Sequence, residues 1–129
     1  MTDLSKVLYV EDDLDIQEVA RLALEVVGRL EVEVASSGKE AVAMARTSIP
    51  DLVLLDVMMP GMDGPTTFAA LREVPGMEDV PVIFVTAKVQ ANEIQQYLDI
   101  GAVGVIAKPF DPMTLADQAR DLWAASRDS

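Results

Sequence analysis

Five short apolar runs punctuate the chain: Val7 to Val10, Val32 to Ala35, Leu52 to Leu55, Val80 to Val85 and Val103 to Ala107. Runs this short, with little polar alternation, suit strands covered on both faces. The stretches between them carry helical periodicity, clearest where Ile16, Val19, Ala20, Ala23, Val26 and Val27 recur at steps of three and four. Gly28 and Gly101 stand where the first and fourth helices would close. Asp63 before Gly64-Pro65 and Asp111 before Pro112 read as helix N-caps followed by an early proline. Five alternations of strand and helix predict a mainly parallel sheet with right-handed crossovers and helices on both faces.

At 129 residues the chain suits one domain, with a core over about 6–123 and no room for a separate output domain. The polar stretch Ser126 to Ser129 is expected to fray. A formal net charge of −12, from 22 acidic and 10 basic residues, repels nucleic acid and anionic membrane surfaces, so neither is an expected partner. With no cysteine and no histidine, thiol nucleophiles, Ser-His-Asp triads and Cys- or His-ligated metals are excluded. The start, MTDLSK, does not lead into an apolar signal segment, and no run of roughly 18 apolar residues could span a bilayer. A cytoplasmic protein is expected, with chemistry resting on carboxylates, hydroxyls and amines.

In open parallel sheets ligands bind beyond the carboxyl ends of the strands, which makes the strand-end residues the place to look. Strand one ends in Glu11-Asp12-Asp13, strand three in Asp56, strand four in Thr86 and strand five in Lys108-Pro109. Strand two, ending in Ala35-Ser36, offers nothing comparable. Converging carboxylates repel one another unless pKa values rise or a cation joins them, and oxygen-only ligands favour Mg²⁺ or a similar hard cation. A lysine and a hydroxyl beside such a cluster suit a phosphoryl group held on a carboxylate. Asp56, ending the most apolar run in the middle of the site, is the best candidate nucleophile for an aspartyl-phosphate.

LYVEDD, LLDVMMPGMDG, VTA and GAVGVIAKPF, in this order and at these intervals, resemble the four signature segments of response-regulator receiver domains, over about Lys6 to Trp123. The resemblance implies a flavodoxin-like (βα)₅ three-layer sandwich with strand order 2-1-3-4-5. It further implies that Asp56 is the phosphoacceptor, Thr86 the switch hydroxyl and Lys108 the phosphate-binding amine. Asp12 resembles the direct ligand of Mg²⁺, Glu11 an acid reaching the metal through water, and the backbone carbonyl of Met58 a further ligand beside Asp56. Asp13 is read as the N-cap of the helix starting near Leu14. A cis peptide between Lys108 and Pro109 is also implied, aiming the amine at the phosphate. Met58 and Lys88 occupy positions that tune phosphate lifetime in this family.

The function implied by the resemblance is phosphoryl acceptance from a sensor histidine kinase or histidine phosphotransfer protein, with Mg²⁺ as cofactor and altered binding of a downstream protein effector as output. The chain would be a monomer or a phosphorylation-dependent dimer, catalysing only its own phosphorylation and dephosphorylation. A phosphate shuttle or sink, and a degenerate receiver acting only as an interaction module, are the alternatives. An Asp-nucleophile phosphohydrolase would carry a second Asp where Met58 stands, and a flavin or nucleotide binder would not line its first loop with Glu11, Asp12, Asp13 and Asp15. One departure stands out. Three residues before Lys108 the family usually carries Tyr or Phe, and this chain has Val105, with Tyr97 one helix earlier as a candidate substitute.

Overall fold

The computed structural model describes residues 3–127. Five strands, β1 (Lys6–Val10), β2 (Glu31–Ala35), β3 (Leu52–Asp56), β4 (Val82–Thr86) and β5 (Gly104–Ala107), form one sheet in the order β2-β1-β3-β4-β5. All four pairings are parallel, so every connection is a crossover through a helix. The helices are α1 (Leu14–Leu22), continued by a π-helical turn over Ala23–Val27, α2 (Gly38–Thr47), α3 (Gly64–Arg72), α4 (Ala91–Ile100) and α5 (Leu115–Arg127). Among the described residues no helix is long and apolar enough to cross a membrane.

Side-chain alternation divides the interior into two cores. Val7, Tyr9, Leu52, Leu54, Ile83, Val85 and Ile106 pack with Ala20, Ala23, Leu24, Leu115, Ala116, Ala119 and Trp123 beneath α1 and α5. Leu8, Val10, Val53, Leu55, Val82 and Phe84 face the opposite way, against residues of α2, α3 and α4. Every residue of β3 and β4 is buried, which explains their unbroken apolar sequence. This is the flavodoxin-like three-layer sandwich, and its two cores hold the strand ends, and hence the site, in place.

Besides a fifth strand that begins at Gly104 rather than Val103, the structure differs from the sequence expectation chiefly in three places. The fourth strand begins at Val82 rather than Val80, because Val80 N–H closes a turn onto the Met77 carbonyl and Pro81 has no N–H to give the sheet. Asp111 does not cap α5. Its side chain accepts from Met113 N–H at 2.8 Å and its carbonyl from Thr114 and Leu115, closing a separate turn before the helix starts at Leu115. Asp63 does cap α3, accepting from Thr66 N–H at 2.9 Å. Ser126, expected to fray, lies in α5, whereas Asp128 and Ser129 are outside the described residues.

The third difference is the first helix. Ala20, Ala23 and Leu24 are buried, but Val19, Val26 and Val27 are 42%, 67% and 42% exposed. The π turn over Ala23–Val27 inserts extra residues per turn, so for Val26 and Val27 a spacing of three or four no longer returns to the same face. Gly28 does end this segment, yet with right-handed backbone, and the left-handed conformation falls on Arg29 at φ 57. What Gly28 supplies is room: a Cβ there would lie 2.5 Å from the Ala116 Cβ of α5. Gly101 closes α4 at φ 127, a conformation that suits glycine.

Candidate functional site

The period-two alternation that builds the core also aims the site. Glu11 follows Tyr9, Asp56 follows Leu54 and Lys108 follows Ile106, each two residues beyond a core residue of the α1/α5 side. The three side chains meet there. Lys108 Nζ donates to Glu11 Oε1 at 2.6 Å and to Asp56 Oδ1 at 3.1 Å. The second oxygen of Glu11 accepts from Asp13 N–H at 3.3 Å. Glu11 and Asp56 are 1% and 5% exposed, so these are charges drawn well out of water.

One ammonium serves two buried carboxylates. Burial pushes Glu11 up to about 7, the Lys108 bond opposing this and the neighbouring Asp56 adding to it. Burial works against the charge on Lys108, but its bonds to Glu11 and Asp56 outweigh that and hold its pKa above the ordinary value. The site is therefore short of positive charge. Carboxylate oxygens of Glu11, Asp12 and Asp56 all lie within 4.8 Å of one another, an oxygen donor set that could hold a hard divalent cation.

A cleft of about 380 Å³ opens over this cluster, lined by Glu11, Asp12, Asp13, Ile16, Asp56, Met58, Thr86, Ala87, Lys88 and Lys108. All six residues singled out from the strand ends and the family resemblance, Glu11, Asp12, Asp56, Met58, Thr86 and Lys108, border it. The Met58 side chain is 61% exposed. Thr86 is buried, and its hydroxyl accepts from Lys88 N–H at 3.1 Å. Asp13 caps α1, accepting from Asp15 N–H at 2.9 Å and Ile16 N–H at 3.1 Å. Lys108 N–H donates to the Thr86 carbonyl at 2.9 Å, and the Lys108–Pro109 peptide is cis, as the resemblance implies.

The β3–α3 loop is held tightly below the cleft. Gly64 N–H donates to the Val57 carbonyl at 2.8 Å, and a Cβ on Gly64 would stand 2.7 Å from the Asp56 carbonyl oxygen and 2.7 Å from Val57 Cα. Gly64 thus lets the loop pass directly beside Asp56. Sequence reasoning overlooks Gln17, whose amide donates to the Glu11 carbonyl at 2.5 Å and to Ser36 Oγ at 3.0 Å. It braces the Glu11 backbone from α1 and brings the end of β2 into the site. Nothing local marks Gln17, because both partners arrive through the tertiary fold.

Residues 7–120 match the response regulator receiver domain family, and the chain belongs to that family. Its fold is that of a receiver domain, a signalling switch. It is 37% identical over 117 residues to the probable transcriptional regulator ycf27 of Porphyra purpurea, covering 91% of this chain and 46% of that protein. With the response regulator PleD of Caulobacter vibrioides it shares 41% identity over 92 residues, 71% of this chain and 20% of that one. The chain thus spans about half or less of the length of these curated relatives. Among solved structures, the chemotaxis protein CheY4 of Vibrio cholerae superimposes with a TM-score of 0.85 at 32% identity, covering 92% of this chain and 98% of that one.

Proposed function

We propose that Asp56 accepts a phosphoryl group from a histidine kinase or histidine phosphotransfer protein, and that the modified domain signals by altered binding to a downstream protein. The observation that carries this reading is the Lys108 ammonium bridging Asp56 and Glu11 within a cluster of three carboxylates. A nucleophilic carboxylate, a fixed cation beside it and a local deficit of positive charge that a divalent cation would fill are what transfer to an acyl phosphate requires. In the step, an Asp56 carboxylate oxygen forms a bond to phosphorus as the donor's N–P bond breaks, and the electron pair returns to the imidazole nitrogen.

The donor set fits Mg²⁺, with Asp12, Asp56 and the Met58 carbonyl as the residues that would hold it and Glu11 reaching it through water. When bound, the cation supplies neutralisation of the phosphoryl oxygens. Lys108 neutralises a further oxygen, and the Thr86 hydroxyl donates to another. A cytoplasmic location belongs to the same reading. Intact mass after incubation with acetyl phosphate, with and without Mg²⁺, tests it in the wild type and Asp56→Asn. One phosphoryl group should appear on the wild type with Mg²⁺ and none on the variant, and equal gain on both would remove Asp56 from the role.

A further inference from the structure

Between β4 and α4 two hydrogen bonds run in series through one residue. Lys88 N–H donates to Thr86 Oγ1 at 3.1 Å, and the Tyr97 hydroxyl donates to the Lys88 carbonyl at 3.4 Å. The Lys88 backbone therefore joins the buried hydroxyl at the wall of the cleft to a phenol in α4. Tyr97 is the one buried residue of α4 and is 6% exposed, whereas Leu98 and Ile100 of the same helix are 40% and 41% exposed. Its ring centroid lies 5.3 Å from that of Phe84 in β4. Val105, which pairs with Phe84 in the β4–β5 register, packs against the same core but has no polar atom to take part.

We infer that Tyr97 is the positioning residue through which Thr86 is coupled to helix α4, by way of the Lys88 backbone. This rests on the reading of Asp56 as phosphoacceptor. A phosphoryl group there presents new acceptor oxygens, and the Thr86 hydroxyl has one proton to give them. As that hydroxyl turns toward the phosphoryl group, it draws away from Lys88 N–H, and the Lys88 backbone must find a new seat. The Lys88 carbonyl accepts from the Tyr97 hydroxyl at 3.4 Å, longer than the usual O–H···O distance of about 2.5–3.0 Å, so this weak bond exchanges at little cost. Because Tyr97 is the buried anchor of α4, a change at Lys88 reaches the whole helix.

The test uses the ¹⁵N-labelled full chain with Mg²⁺ and beryllofluoride, an acyl-phosphate mimic, followed by amide chemical shifts in the wild type and Tyr97→Phe. Phenylalanine keeps the ring against Phe84 and removes only the hydroxyl. The expected result is an unchanged response at Asp56, Thr86 and Lys108, with the response across Ala91–Leu98 lost or reduced several-fold. An α4 response of wild-type size in Tyr97→Phe overturns the coupling. Ring-¹³C tyrosine in the wild type gives a second reading that needs no change at Tyr97, its two tyrosines being assigned with Tyr9→Phe: the Tyr97 ring resonances should shift on addition of the mimic, and unmoved resonances overturn the proposal. A wild type silent at Asp56 and Lys108 as well would instead bring down the phosphoacceptor reading, and this inference with it.

Discussion

Glu11 shows how one residue's surroundings decide its behaviour. Its folded pKa, about 7 against an ordinary 4.5, means that the folded chain keeps a proton the unfolded chain releases across that window. The unfolded state then binds fewer protons, so stability is fully present below about 4.5 and declines as pH rises toward about 7. In metal-free protein this amounts to a loss on the order of 1–3 kcal/mol, read from urea midpoints across the range. Glu11→Gln should flatten that slope, and an unchanged slope would place its cause elsewhere. Asp13 offers the contrasting case beside it. Its carboxylate is committed to two amides of α1, so Asp13→Ala should cost about 1 kcal/mol of stability while phosphoryl uptake with Mg²⁺ persists. Lost uptake in a folded Asp13→Ala protein would point to a metal role instead.

At the scale of elements, the site depends on how closely loops and helices approach one another. The β3–α3 loop can pass the Asp56 backbone only because residue 64 has no side chain. Gly64→Ala should push the loop away, costing about 1–3 kcal/mol in overpacking and slowing phosphoryl uptake at Asp56. Normal uptake in a stable Gly64→Ala protein would show that this contact does not position the acceptor. The π turn of the first helix is a second close fit. It brings Gly28 against Ala116 and carries the Gly28 carbonyl to the Arg120 guanidinium, joining the two helices that cover one face of the sheet.

For the whole molecule, charge is the unbalanced quantity. With a formal net charge of −12, the compact state gathers like charges that the unfolded chain can spread apart. Screening sets in over a Debye length of about 10 Å at 0.1 M salt, so NaCl should raise the thermal midpoint of the metal-free protein. Mg²⁺ at equal ionic strength should raise it further by binding the carboxylate cluster, an increment that Asp56→Asn should diminish. Equal midpoints in the two salts would speak against a cation site at the strand ends.

The architecture, and the edge at which chemistry gathers, were legible in the order of residues. Apolar runs and helical periods are local records of burial, and the residues that end strands one, three, four and five stand at one sheet edge once the strands are parallel. How these groups are spent required the folded chain. Lys108 is bonded to Glu11 and Asp56 across 97 and 52 positions of chain, and no local pattern states which oxygens one amine will serve. The same holds for Gln17 bracing Glu11 and for Tyr97 reaching Lys88. The first helix shows the reverse case, since Val26 and Val27 continue a regular helical period in the sequence while a wider turn over Ala23–Val27 leaves them exposed. Periodicity reports which face a regular element would bury, but where the element departs from regularity, the neighbouring surface decides.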